Sequence, residues 1–180
     1  MTLPASLRPG TWMVDPAHTI VSFRVRHLGI SRIRGTFRTV TGSVKIADEL
    51  GSALIDIKFD LTSVDTNNEK RDGHLQGPDF FDVENESTMR FASTSIDVER
   101  GIIAGLLTLR ETTRPIELRA EFHGVDTDHY GNTKAGFSAT GVLDRTDFGI
   151  DFQVALDSGG ILLANEIKLE IDVQLLQPAD

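Results

Sequence analysis

Few side chains in this sequence are spaced to do chemistry, and the densest group is Arg71-Asp72-x-His74. A guanidinium, a carboxylate and an imidazole so close together can move a proton or hold an anionic group. His27 stands apart, because it continues the series Val21, Phe23, Val25 and so places an imidazole on an otherwise apolar strand face. On the wall of a pocket such a group orients the polar end of a ligand; in a core it bonds a neighbour. The five histidines, His18, His27, His74, His123 and His129, fall at spacings that no shared metal site uses, so no metal is expected. With no cysteine there is no thiol nucleophile, and the nucleophile-elbow, P-loop, dinucleotide and zinc-protease patterns are all missing. No catalytic residue is expected. The Arg-Asp-x-His cluster reads better as a bonded framework than as catalytic machinery.

The elements that must position these groups are strands with a single helix among them. Thr66 and Glu69 have the spacing of a capping box, which predicts a helix over about 67–76 that Gly77 and Pro78 then stop. Directly after it Asp79-Phe80-Phe81 sets two aromatic rings beside a turn. Period-two alternation marks Val21–Arg26, Ile55–Leu61, Ile116–Phe122 and Ile167–Leu175 as strands with one buried face. Thr36–Ile46, Met89–Val98, Ile102–Leu109 and Lys134–Leu143 bring the count to about eight. Ile102–Leu109 is apolar on both faces, which predicts a strand covered on both sides or a homodimer surface. Closing about eight antiparallel strands into a barrel removes their exposed edges and leaves an interior that is filled or holds one slender ligand.

Composition limits the rest. The 180 residues suit one domain over 1–180, and 18 Lys+Arg against 27 Asp+Glu give a net charge of −9. That balance argues against nucleic acid or an anionic membrane as the main partner. The first residues lack a secretory apolar run and no stretch is long and apolar enough to cross a bilayer, so a cytoplasmic location and no transmembrane segment are expected. Phe23, Phe37, Phe59, Phe91, Phe122 and Phe137 fall in strands, while Phe80, Phe81 and Phe148 fall beside turns. Walls of this kind suit an elongated apolar ligand, since each buried CH₂ contributes roughly 0.8 kcal/mol.

Several ordered motifs resemble the YceI-like family of polyisoprenoid-binding, lipocalin-like barrel proteins. They include Trp12-x-Val14-Asp15-Pro16-Ala17-His18-Thr19, Phe23-x-Val25-x-His27-Leu28-Gly29, Arg71-Asp72-x-His74-Leu75, Asp79-Phe80-Phe81-Asp82-Val83 and Asp144-Arg145-x-Asp147-Phe148-Gly149. The resemblance implies an all-β, eight-stranded antiparallel barrel with the short helix packed near one end. It also implies a long apolar tunnel for an isoprenoid or similar lipid, such as a quinone tail, with no cofactor and no turnover. One departure is Glu111, where the family usually has a glycine in the hairpin after Gly105-x-Leu107-Thr108-Leu109.

Combining the alternation with the resemblance, the tunnel wall is expected to be Val21, Phe23, Val25, Phe37, Ile55, Ile57, Phe59, Phe80, Phe81, Phe91, Leu107, Phe137, Phe148, Leu169 and Ile171. His27, Arg71, Asp72 and His74 supply its polar side. Two other readings stay open on the residues alone: an enzyme acting on such a lipid, and an interaction or stress-response module whose barrel is merely filled.

Overall fold

The computed structural model describes residues 7–154, 156 and 160–177. Its strands are β1 (Gly10–Val14), β2 (Ile20–His27), β3 (Ser31–Phe37), β4 (Val40–Ile46), β5 (Leu54–Asp60), β6 (Val64–Asp65), β7 (Thr88–Asp97), β8 (Ile102–Leu109), β9 (Thr112–Thr127), β10 (Thr133–Asp144) and β11 (Leu163–Leu176), with one α-helix, α1 (Glu69–Gln76). Neighbours run β1-β4-β5-β7-β8-β9-β10-β11, and β11 pairs back onto β1, so eight antiparallel strands form a closed barrel. Closure leaves this circuit no free edge.

The upper half of the barrel is built differently. β11 is long enough to pair with β1 at Leu175 and Leu176 and with β2 from Leu163 to Asp172. The chain breaks between β1 and β2 at Asp15 and Pro16; a proline has no N–H to give to a ladder. β3 then pairs with β2 along its length but meets β6 only at Thr36 and Phe37. The wall is therefore incomplete beyond β6, and α1 with the loop that follows it packs there.

No residue of α1 is fully buried; half-buried Leu75 packs against the core, and hydrogen bonds at the helix ends fix the rest of its place. Asn68 caps it, accepting from the Arg71 amide at 3.0 Å. The expected Thr66–Glu69 capping box does not form: Thr66 instead bonds Asp72, and the helix begins two residues later than predicted. After Gly77 the chain turns back, with Phe81 N donating to Leu75 O at 2.9 Å and Val83 N to Gln76 O at 3.0 Å. These bonds aim Phe80 and Phe81 under the helix.

Three further expectations change. Thr36–Ile46 is two strands, split at Arg38 and Thr39, and β1 and β6 are additional. β8 is covered on one side only: Gly105, Leu107 and Leu109 are buried while Leu106 is 42% exposed. The hairpin at Glu111 closes with Arg110 at φ 56°, where Arg110 Nη1 donates to Gly149 O at 3.4 Å.

Trp12, Phe59, Phe91, Leu107, Leu118 and Leu175 are buried and fill the closed half of the barrel. Phe91 lies so close to Gly105 that any Cβ there would overlap its ring. Eight strands are few enough for side chains to fill the interior, and here they do so.

Candidate functional site

Above this packed half lies a cavity of about 260 Å³ with an almost wholly apolar wall. β2 contributes Phe23, Val25 and His27; β3 contributes Ile33 and Phe37; β11 contributes Leu163, Ile167 and Leu169. Arg71, His74 and Leu75 of α1 close it together with Phe80 and Phe81, and Leu143, Arg145, Ile150 and Phe152 complete the far side. The innermost residues, Phe37, Met89 and Leu109, are buried, whereas His27, Leu162 and Phe152 are only half-buried. The lining thus grades from a sealed floor towards the surface around His27.

The aromatic rings lock to one another. Phe37 contacts Phe23 at a centroid separation of 5.6 Å and Phe81 at 5.8 Å. His74 meets Phe80 and Phe152 edge-on at 5.1 and 5.0 Å, and its Nε2 bonds Asp79 at 2.8 Å. Edge-to-face packing of this kind is worth about 0.5–1.5 kcal/mol per pair beyond the area buried.

Among the described residues two guanidiniums border the cavity and no carboxylate does. Arg71 directs Nε to Thr66 Oγ1 at 2.7 Å and Nη2 to Thr66 O at 2.8 Å. Arg145 is 4% exposed and donates to Ala164 O (3.1 Å), Ile150 O (2.7 Å) and Asn165 Oδ1 (3.3 Å). Burial pushes its pKa down from the ordinary arginine value, partly offset by Asp144 and Asp151.

Of the residues singled out in the sequence, the cavity brings together Phe23, Val25, Phe37, Phe80, Phe81, Leu169, His27, Arg71 and His74. Val21, Phe59, Phe91, Leu107 and Phe148 lie in the buried core instead, and Ile55, Ile57, Phe137 and Ile171 pack against it half-buried. Asp72 holds Thr66 and is not on the wall. Ile33, Leu75, Met89, Leu109, Leu143, Arg145, Ile150, Phe152, Leu162, Leu163 and Ile167 were not foreseen there. Ile167 belongs to a strand marked by alternation, Leu143 to a further strand candidate, and Arg145 to one of the family motifs; Phe152 and Leu162 sit in an aperiodic loop that carries no signal.

The model of the YceI-like domain matches residues 12–175, which takes in the end of β1, the helix, the cavity and nearly all of β11. The chain belongs to the YceI-like family. It is 35% identical over 157 residues to a UPF0312 protein of Vibrio parahaemolyticus, covering 83% of this chain and 82% of that one. A UPF0312 protein of Staphylococcus epidermidis is 32% identical, with 89% and 94% covered. Among solved structures, the Campylobacter jejuni YCEI protein aligns with a TM-score of 0.69 at 27% identity, covering 86% of this chain and 90% of that one. A polyisoprenoid binding domain from Saccharophagus degradans shares the fold at a TM-score of 0.71 and 11% identity, with 95% and 100% covered.

In this YceI-like barrel the quoted motifs separate into two sites. Arg71, His74, Phe80, Phe81 and Arg145 border the cavity. Asp15 and His18 lie at the other end of β11, where buried Asp15 accepts from Lys134 Nζ at 3.0 Å and from the Ala17 amide at 3.0 Å, and bonds His18 Nδ1 at 2.8 Å. Burial alone would raise the Asp15 pKa, but Lys134 and His18 outweigh it and hold the carboxyl below its usual value.

Proposed function

We propose that this YceI-like protein binds a slender apolar chain of isoprenoid type, such as a prenyl or quinone tail, in the cavity beneath α1, as a non-catalytic carrier or store. The observation that carries the reading is a concave wall of aromatic and branched aliphatic side chains with a few polar groups, the form that small-molecule sites take. The Saccharophagus degradans neighbour of the same fold, described as polyisoprenoid-binding, supports it.

Volume sets a length. An engineered apolar cavity of about 150 Å³ takes one benzene, so about 260 Å³ has room for somewhat less than two such groups, on the order of ten carbons. A longer tail leaves part of itself outside or displaces the α1 segment. Arg71 and Arg145, with no carboxylate on the wall among the described residues, favour an uncharged or anionic polar end over a cationic one.

Turnover would require a nucleophile and base within hydrogen-bond reach of each other. The imidazole of His74 on this wall is bonded to Asp79 and packed between phenyl rings. That is a positioning arrangement.

A titration with prenyl alcohols of increasing length, read by displacement of a fluorescent prenyl probe, tests the proposal. Affinity should rise steeply up to about two isoprene units and then flatten. Absence of binding at every length would overturn it.

A further inference from the structure

The barrel end nearest His27 carries a surface that the cavity does not explain. β2 and β3 set Arg24 directly opposite Arg34, and Arg26 directly opposite Arg32. Like charges opposed across a sheet destabilise it. Glu170 compensates Arg24 at 2.8 Å, but Arg26, Arg32 and Arg34 have no carboxylate partner among the described residues. Among the described residues the Arg26 side chain donates only to Gly29 O, at 3.1 Å.

The tip of this hairpin is apolar. Ile30 is 84% exposed, Leu28 39% and nearby Ile161 59%, and Leu28 N donates to Leu162 O at 2.9 Å, which ties the tip to the loop carrying Ile161. Leu28 sits at φ 55° and Gly29 at φ 72°, in a turn closed by Ile30 N donating to His27 O at 3.2 Å. Asparagine or glycine takes the first of these positions with least strain, and leucine does not. Strain at Leu28, opposed arginines and an isoleucine in water are three separate costs on one hairpin. They coincide where the lining of the cavity becomes half-exposed, at His27 and Leu162.

We propose that the Leu28–Ile30 tip, ringed by Arg26, Arg32 and Arg34, docks this protein on an anionic lipid bilayer, so that the cavity opens towards the apolar phase. The arginines would meet lipid phosphates while Leu28, Ile30 and Ile161 enter the acyl boundary. This rests on the proposed isoprenoid ligand only for its purpose, the loading and unloading of an apolar chain. The net charge of −9 does not prevent it, because charges beyond about 10 Å are screened at 0.1 M salt and the cations are concentrated at this end. Three exposed apolar side chains at the centre of the patch favour a bilayer over nucleic acid.

Flotation with phosphatidylcholine vesicles, with and without phosphatidylglycerol, tests the inference directly. The wild type should float with the anionic vesicles, release with salt, and ignore pure phosphatidylcholine. Replacing Arg26, Arg32 and Arg34 together by Gln should weaken partitioning about 100-fold, and Ile30→Ser about tenfold. Both variants should take up a prenyl probe in vesicle-free buffer as the wild type does, which shows that they are folded. Relief of the opposed arginines should also leave the triple variant no less heat-stable. Wild type that binds the probe but does not float would overturn docking, as would equal flotation of the triple variant or equal affinity for duplex DNA. Wild type that floats without binding the probe would keep the docking surface and remove the ligand reading.

Discussion

Asp72 accepts hydrogen bonds from both the amide and the hydroxyl of Thr66, at 2.9 and 2.5 Å, six residues before it. Thr66 is itself buried and also receives Arg71, so one threonine ties the exposed helix to the end of β6. Because no residue of α1 is fully buried and its apolar contact with the barrel is Leu75, this clamp supplements an apolar face much smaller than the one that holds most helices in place.

Replacing Asp72 by Ala should therefore loosen the lid without unfolding the barrel. The buried Thr66 hydroxyl and amide would lose their acceptor, at a cost of about 2 kcal/mol. Hydrogen exchange should accelerate over residues 66–76 and stay slow in β9 to β11, with faster release of a bound prenyl probe. Uniform acceleration across the barrel would show that the clamp is part of global stability.

Phe23 and Phe59 were equivalent in the sequence and are not in the structure. Phe23 is half-buried on the cavity wall, while Phe59 is 6% exposed within the packed half. Phe23→Arg should abolish probe uptake with a native circular dichroism spectrum, because its long side chain can reach past His27 to water. Phe59→Arg leaves a charge in a filled core, costing several kcal/mol, and should prevent folding. A folded Phe59→Arg protein would contradict the assignment of that half as solid.

Asp15 is one of the carboxylates through which acid should destabilise the fold. Its carboxyl is held below the ordinary value in the folded protein, so its stabilisation is complete above the unfolded pKa of about 3.9 and is lost as pH falls through the folded value. Asp128, lowered to about 2 by the Asn132 amide and side chain, titrates in the same direction. Asp15→Asn should lower stability at neutral pH by about 1–3 kcal/mol and flatten its decline below about pH 4. Urea midpoints measured at several pH values check both parts.

Arg145 staples the turn at Arg145–Phe148 to Ile150 and to the start of β11. Arg145→Met keeps the volume but leaves the Ile150 and Ala164 carbonyls without their donor, so a loss of about 3 kcal/mol is expected in urea unfolding. Arg145→Lys should recover only part of it, since an ammonium cannot reproduce three divergent bonds.

Much of the fold was legible because alternation survives where one strand face is buried. Ile167 to Leu175 and Ile116 to Phe122 show this, and β8 runs over the same residues that the sequence marked. What alternation cannot show is depth along the barrel. Phe59 and Phe91 share the inward period of Phe23, yet whether an inward ring lines a space or fills it depends on which strands close the ring at that level. β6 is the local cause: two residues long, it leaves the upper wall open. The helix start was misplaced because Thr66 was given to Glu69, whereas its actual partner, Asp72, lies a turn further on. Arg145 was quoted within a motif without a role, since its partners are carbonyls that no sequence pattern reveals.

If the space beneath α1 holds an apolar chain, native mass spectrometry of the protein as isolated, followed by solvent extraction and lipid identification, should find it. The expected result is one bound lipid per chain with an isoprenoid tail, displaced by added prenyl alcohol and missing from the Phe23→Arg variant. Protein that is ligand-free as isolated and also fails to take up a prenyl probe would contradict it.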